Sequence, residues 1–356
     1  MQQTIRIGII GSGGIAGAHA RAYQQLPGVQ VVAVADVIPG KAADFIARHG
    51  LAGARAFEDH RALLELELDG VGICTPNVAH HRTAVDALQA GKHVLTEKPM
   101  AVTLEQAVDM ARAAKRAGRI LTVGFQPRYD PNMRLIKSLV QSGELGSVYY
   151  VETGGGRRRG IPGGTFIRRD LAGSGAIADI GCYSLDLALD ALGYPKPLTV
   201  SAYTGDYLGR SPKYFREADR FEVEDFGVAL VRLEGGVVLN FKIAWAMHMD
   251  SLGATMFLGT DGGLKVTSPN GVWDGGVASI TLYRDLLGQQ TETVIPVRPH
   301  NVDRFLEKVR DFVEAIRGGR PAPIPGEVIV RNQAIIDGVL RSAASGREVE
   351  IEIPEI

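Results

Sequence analysis

The sequence predicts two domains, an α/β domain built on a parallel sheet and then an α+β domain with a largely antiparallel sheet. Three observations carry this: strict alternation of short apolar runs with helical stretches from Ile5 to about Phe125, a glycine-rich turn at Gly11 between the first run and the first helix, and a second half in which strands dominate. A chain of 356 residues exceeds one ordinary core. The expected division is 1–125 and 126–356.

In the first domain, segments 5–10, 29–35, 70–74, 93–96 and 120–124 read as strands because they are short, apolar and rich in β-branched residues. Between the last two, Leu104, Ala107, Val108 and Ala111 fall on one face, so 104–117 reads as an amphipathic helix. Strands that alternate with helices form a parallel sheet covered on both sides. Pro127 and Pro131 break the pattern and mark the exit from this domain.

Beyond the exit, a helix over 132–142 leads to a strand at 148–153 and then to a loop rich in Gly and Arg at 154–164. Another helix starts near Ile180, and strands follow at 199–203, 224–233, 237–246, 255–259, 263–267 and 279–284. Asp261-Gly262 and Glu234-Gly235-Gly236 between such runs are hairpin turn signals. Two helices, 302–317 and 326–345, flank a proline-rich turn at 320–325, and a strand at 349–353 closes the chain.

Composition narrows the function. Hydrophobic residues make up 45% and charged residues 22%, as in ordinary globular proteins, and the net charge of -1 gives no field that would draw the chain to nucleic acid or an anionic membrane. Cys74 and Cys182 are the two cysteines, and their apolar surroundings and lack of ligand spacing read as small buried hydrophobes. Residues 1–6 lead into a strand without a charged-then-apolar leader, and no apolar run approaches membrane-spanning length. A cytoplasmic enzyme without a metal site is expected.

The chemistry begins at Gly11-Ser12-Gly13-Gly14-Ile15-Ala16. Gly11 permits the tight turn, Gly13 lets backbone approach a pyrophosphate, and Ala16 is small enough for helix and strand to pack closely. The helix amino terminus then offers N–H groups to phosphates. Asp36 ends the second strand about 20 residues on, where a carboxylate accepts the ribose hydroxyls. Val37 and Ile38 follow it rather than arginine, and an anion at Asp36 repels a 2′-phosphate, so NAD is expected over NADP. At the end of the third long strand stands Cys74-Thr75-Pro76-Asn77, with His80 and His81 beyond. Thr75, Pro76, Asn77 and His80 are assigned to the nicotinamide half of the cofactor, with Asn77 as a helix cap the simpler reading. Two adjacent histidines cannot face one helix site, which argues against a metal pair. The run His93-Val94-Leu95-Thr96-Glu97-Lys98-Pro99 sets a lysine at the carboxyl end of a parallel strand, where open α/β sheets keep their ligands.

The turn at 11–17, the segment 74–81, the segment 91–99 and Gly173-Ser174-Gly175-Ala176-Ile177-Ala178-Asp179-Ile180-Gly181-Cys182-Tyr183 occur in an order and spacing that resemble the glucose-fructose oxidoreductase/inositol dehydrogenase (Gfo/Idh/MocA) family. The similarity covers nearly the whole chain. It implies a Rossmann domain, a carboxyl-terminal α+β domain with a large, mostly antiparallel open sheet, NAD as cofactor, and hydride transfer at a hydroxyl of a sugar, glycoside or cyclitol. It also implies a homodimer or homotetramer formed through that sheet. By motif, Lys98 is the lysine beside the nicotinamide, Glu97 and Pro99 fix the turn that presents it, Glu97 and Gln126 border the cofactor, and Asp179 is the family's acidic residue. The last motif position is Tyr183, where many sugar and inositol dehydrogenases have histidine.

A tyrosine can serve there. Oxidising an alcohol needs a base, and a phenol with a pKa near 10 is a poor one at neutral pH. A lysine cation about 4 Å away, at an effective dielectric near 20, contributes roughly 4 kcal/mol, on the order of 3 pKa units. Asp179 is therefore assigned to holding Lys98 and orienting substrate, and Lys98, Asp179 and Tyr183 form the expected catalytic set. Asp186, one turn on, reads as a structural hydrogen-bonding partner. Arg157, Arg158 and Arg159 offer guanidinium groups for vicinal hydroxyls or an anionic group, with a solvated basic loop the alternative. Arg128, Trp245 and His300 are candidates for the pocket wall, Trp245 for stacking on a sugar face. The expected activity is NAD-dependent oxidation of a sugar, glycoside or cyclitol hydroxyl. The alternatives are a redox-neutral glycoside-cleaving or epimerising cycle on NAD and a catalytically silent NAD-binding sensor.

Overall fold

The computed structural model describes residues 4–268, 276–297 and 299–356. Residues 1–3, part of the segment 1–6 read above, lie outside the described residues. The chain divides into two compact units: Met1–Gln126 with Val302–Val330 and Pro354–Ile356, and Pro127–Asn301 with Arg331–Ile353. The first unit is thus not one continuous segment, as the expected division at 125/126 had it. A stretch near the carboxyl terminus returns to it.

The first unit runs β1 (Ile5–Ile10), α1 (Gly14–Gln24), β2 (Val29–Ala35), α2 (Lys41–His49), β3 (Arg55–Phe57), α3 (His60–Leu64), β4 (Gly70–Ile73), α4 (His80–Gln89), β5 (His93–Thr96), α5 (Leu104–Ala117) and β6 (Leu121–Val123). Its six strands pair in parallel in the order β3-β2-β1-β4-β5-β6. That order reverses between β1 and β4, which makes their carboxyl ends the binding crevice of a Rossmann sheet. Buried aliphatic residues fill the strands, with Ile7, Ile9, Val71, Ile73, Val94 and Leu95 fully enclosed. Helix α5 keeps the anticipated bounds because its ends are specified locally. Thr103 caps it by accepting the Gln106 N–H, and Gly118 ends it in the left-handed region. Strand β3, a three-residue edge strand with exposed Arg55 and Ala56, carries no apolar run that would signal it.

The second unit contains α6 (Pro131–Gln141), β7 (Val148–Gly156), α7 (Arg169–Ala172), α8 (Ala176–Asp179), α9 (Gly181–Ala191), β8 (Pro197–Gly205), β9 (Phe226–Leu233), β10 (Val238–Ala244), β11 (Thr255–Gly259), β12 (Gly262–Thr267), β13 (Ser279–Leu286) and β14 (Gln289–Ile295). Two further helices, α10 (Arg304–Gly318) and α11 (Gly326–Ser345), and strand β15 (Val349–Glu350) complete the chain. Nine strands form one sheet in the order β14-β13-β12-β11-β7-β10-β9-β8-β15, in which β7 and β10 run parallel and every other neighbouring pair antiparallel. Helices α8 and α9 pack over its centre, where Val151, Leu239, Phe241 and Ile243 are fully buried. On the opposite face Tyr203, Leu230, Leu258 and Tyr283 are exposed at 36–51%.

Strand β7 runs three residues past the expected end at 153, through Gly154-Gly155-Gly156. Lys242 approaches so closely that a Cβ on Gly154 would lie 1.7 Å from its carbonyl oxygen, so glycine lets the two parallel strands stay paired. Strand β14 was not anticipated, since an exposed edge strand of Gln, Thr and Glu carries no apolar alternation. The helix expected at 302–317 starts later, at Arg304, because Asp303 caps it and accepts from the N–H groups of Phe305 and Leu306. Its Val309, Phe312, Val313 and Ala315 join the core of the first unit beside Ile5, Ile7 and Tyr23. Each of the larger side chains contributes about 1.5–3 kcal/mol by burial.

Candidate active site

The candidate residues fall into two sets, one in each unit. In the first, the carboxyl ends of three adjacent parallel strands, β1, β4 and β5, lead into Gly11, Cys74-Thr75 and Glu97-Lys98. Gly11 has φ +90°, and a Cβ there would come within 2.5 Å of the Cys74 carbonyl oxygen, so glycine alone fits the turn. Above Gly13 and Gly14 the space is open for 4 Å around an added Cβ. The amino end of α1 therefore stands clear for a phosphate.

Asp36 is 8% exposed and accepts from the Ser12 N–H at 2.9 Å, the Ser12 hydroxyl at 2.6 Å and the Ile38 N–H at 3.1 Å, with Lys41 Nζ 3.1 Å away. Burial pushes its carboxyl up, but the Ser12, Ile38 and Lys41 contacts outweigh that and hold it below the ordinary carboxylate range. It stays anionic and able to accept ribose hydroxyls. The Thr75 hydroxyl oxygen is buried without a hydrogen-bond partner in the protein. A buried orphan hydroxyl beside an open glycine turn and a fixed carboxylate fits a dinucleotide.

Three expectations for this set change. His80 is fully buried, with Nδ1 2.7 Å from the Pro99 carbonyl and Nε2 3.1 Å from the Thr75 carbonyl, so it ties the two loops together instead of facing a ligand. Burial lowers its pKa, against the pull of those carbonyls. Asn77 lies in a 3-10 turn, Asn77–Ala79, and α4 begins at His80 without a side-chain cap. Glu97, expected at the cofactor, turns its carboxylate into the core, 2.7 Å from His19 Nε2 and 2.5 Å from Lys308 Nζ. Neither partner carried a motif. The one signal was that Lys308 falls on the apolar stripe of α10, three residues after Phe305 and four before Phe312. Lys98 is partly exposed at its strand end, as is Gln126 after β6, Pro76 after β4 is exposed, and Ile15 is half-buried at the start of α1.

In the second unit, Asp179 ends α8 and Tyr183 lies in the first turn of α9, buried at 7% exposure. Trp245 is fully buried, meets Phe221 edge to face and donates its indole N–H to Asp179 at 2.9 Å. It belongs to the core and to the support of Asp179, because a ring with no exposed surface has no face for a sugar. Arg128 lines a small cavity beside Tyr183, but its charge is already engaged. Its guanidinium pairs with Asp186 at 2.6 Å and Asp190 at 3.2 Å, donates to the Tyr194 hydroxyl at 2.9 Å and lies over the Tyr194 ring. Burial lowers its pKa, and the two aspartates outweigh burial and raise it. Asp186 thus serves as the structural partner expected of it. His300 Nε2 lies 3.2 Å from Asp130, the residue that caps α6.

The parallel strands β7 and β10 end side by side. Arg157 follows the first, its N–H donating to the Ala244 carbonyl at 3.1 Å, and Trp245 follows the second. Arg159 donates to the Met247 carbonyl at 2.9 Å and stacks 4.9 Å from the Tyr214 ring centre, so the arginine loop is folded onto the segment after β10. The turn that carries Asp179 is held by Glu224, which sequence reading did not single out. Its buried carboxylate accepts the Gly175 N–H at 2.7 Å and the Ile177 N–H at 3.2 Å. Burial raises its pKa to about 7. Asp225, next in the chain, accepts the Trp245 N–H on its carbonyl at 2.8 Å. One corner therefore fixes both members of the Asp179–Trp245 pair.

Among the described residues no helix is long and apolar enough to cross a membrane. Residues 5–125 match the oxidoreductase family model for the NAD-binding Rossmann fold, and residues 133–265 match the GFO/IDH/MocA carboxyl-terminal domain. D-glucoside 3-dehydrogenase of Escherichia coli (strain K12) is 29% identical over 98% of this chain and 97% of its own length. Inositol 2-dehydrogenase of Paracoccus denitrificans (strain Pd 1222) is 27% identical over 99% and 98%. Levoglucosan dehydrogenase, solved in complex with NADH, has the same fold, with a TM-score of 0.83 at 22% identity over 99% of this chain and 100% of that one. The fingerprint, the strand order and the two domain matches agree: the chain is an NAD-binding member of the GFO/IDH/MocA oxidoreductase family.

Proposed function

We propose that this protein is an NAD-dependent dehydrogenase that oxidises a secondary hydroxyl of a pyranose, glycoside or cyclitol. The observation that carries the reading is the delivery of the Gly11 turn, the Thr75 hydroxyl and Lys98 by three neighbouring strand ends of one parallel sheet. This puts a cation one strand from the cofactor crevice. The full-length likeness to D-glucoside 3-dehydrogenase supports a glycoside as substrate.

Gly11, Ser12, Gly13, Gly14 and Ile15 hold the pyrophosphate at the start of α1, Asp36 accepts the ribose hydroxyls, and Thr75, Pro76, Asn77 and Gln126 border the nicotinamide half. Bound NAD supplies the hydride acceptor. Lys98 donates a hydrogen bond to the reacting hydroxyl and favours its alkoxide, Tyr183 takes the hydroxyl proton, and Asp179 accepts from the substrate. In the reverse direction Tyr183 returns the proton. Arg157 is assigned to substrate hydroxyls, and the exposed sheet face with Tyr203, Leu230, Leu258 and Tyr283 to a homodimer or homotetramer.

A panel of pyranoses, glycosides and inositols, read as NADH formation and followed by locating the keto carbon, tests the reading. NADH accumulation with one class supports it. Consumption of a glycoside without NADH accumulation points to a redox-neutral cycle, and tight NAD binding with no turnover of any polyol overturns the assignment as an enzyme.

A further inference from the structure

Three side chains from distant parts of the first unit meet beneath the Lys98 loop: His19 on α1, Glu97 after β5 and Lys308 on α10. All are buried, at 0%, 5% and 2% exposure. Lys308 Nζ lies 2.5 Å from Glu97 Oε1 and 3.3 Å from His19 Nε2, while His19 Nε2 lies 2.7 Å from the same carboxylate oxygen. Gly124, at the end of the neighbouring strand, makes room for the carboxylate, since a Cβ there would sit 3.0 Å from Glu97 Oε1.

The charges in this cluster depend on one another. Burial drives the Glu97 carboxyl up, but Lys308 first and His19 second outweigh it, and Glu97 ends far below the ordinary range. Burial and the Lys308 charge both lower the His19 pKa, so the imidazole is neutral. Cys74 and Tyr23 face the same carboxylate, and both are pushed up by burial, so they stay uncharged. The Phe305 ring lies 5.0 Å from Lys308 Nζ and supplies a further cation–π contact. Within this cluster Lys308 is the one charge that balances Glu97. A buried carboxylate deprived of its cation is strongly unfavourable.

We propose that Lys308 is a positioning residue for the reaction: by anchoring Glu97 in the core it fixes the strand end that carries Lys98. The inference rests on the role given to Lys98 above. It assigns α10, far along the chain from every motif, to the reaction centre of the first unit.

The test uses the full-length protein and three variants, Lys308→Met, Lys308→Arg and the double variant Glu97→Gln/Lys308→Met. Two readouts are followed across about pH 5.5 to 9: kcat and KM on the best polyol, and the NAD dissociation constant by calorimetry. In Lys308→Met, His19 becomes the sole ionic partner of Glu97, so the pair takes up a proton at the acid end and leaves a lone buried carboxylate at the alkaline end. The expected result is a kcat lowered by about tenfold or more and falling further as pH rises, with substrate KM nearly unchanged. Lys308→Arg restores most of kcat, and the double variant loses the added pH dependence because no charge is left to balance. A merely structural role would lower Tm and leave the pH profile of the folded fraction unchanged. A Lys308→Met protein with wild-type kcat and pH profile overturns the proposal. If the wild-type protein turns over no polyol, the functional reading fails separately, and NAD affinity decides the proposal: a dissociation constant that weakens with rising pH only in Lys308→Met supports it, and superimposable profiles overturn it.

Discussion

Trp245 donates its indole N–H to Asp179 at 2.9 Å, and it does so from a position with no exposed surface. A buried hydrogen bond of this kind contributes about 0.5–1.5 kcal/mol, and more when its loss leaves an acceptor unsatisfied. Trp245→Phe keeps an aromatic ring against Phe221 and removes the donor. The expected outcome is a kcat/KM about tenfold or more lower, with a smaller loss of thermal stability. Steady-state kinetics beside a melting curve checks it, and unchanged kinetics would detach Trp245 from the function of Asp179.

Lys98→Met and Tyr183→Phe are each expected to lower turnover by about 10²–10⁴, the range general acid–base groups supply, while NAD still binds. Kinetics with nucleotide titration separates the two effects. Wild-type rates in both variants would remove the proposed proton path.

The role proposed for Asp36 is to exclude a 2′-phosphate by charge, and Lys41 Nζ stands 3.1 Å from its carboxylate. Asp36→Ser takes away the repulsion and frees a cation at the same place. The ratio of NADP to NAD affinity should rise by about tenfold or more, and calorimetric titration with both nucleotides measures it. An unchanged ratio would place the discrimination elsewhere.

Glu224 predicts a pH dependence of stability. Its folded-state pKa of about 7 lies above the ordinary 4.5, so the native state binds this proton more tightly than the unfolded state does. The group's contribution is therefore fully present below pH 4.5 and is lost as pH rises through 7, by about 3 kcal/mol in all. Glu224→Gln retains an acceptor for Gly175 and Ile177 without the titration. Relative to this variant, wild type should lose roughly 2.5 kcal/mol of that total between about pH 5 and pH 8 in urea unfolding. Parallel profiles would contradict the burial argument.

The first unit was largely legible because its signals are local. Gly11 needs a left-handed turn, Thr103 and Gly118 bound α5, and the apolar runs of β1, β2 and β5 are continuous because both faces of a parallel sheet are covered. The second unit was less legible at its edges. Strand β14 is polar because its side chains are exposed, and β7 continues through three glycines that read as a loop until β10 is seen beside it.

By itself the sequence determined the residues on offer: a dinucleotide turn, an acid at the end of the second strand, and Lys98, Asp179 and Tyr183 in recognisable settings. Tertiary structure decided which side chains are available. Trp245 and Arg128 look like pocket residues in sequence and are enclosed or ion-paired in the fold. Lys308, an unremarked lysine 211 residues from Glu97, becomes its counter-charge. The reason is physical. Periodicity and capping act within a few residues, whereas the partner of a buried charge is set by which strand ends and helices the sheet order brings together.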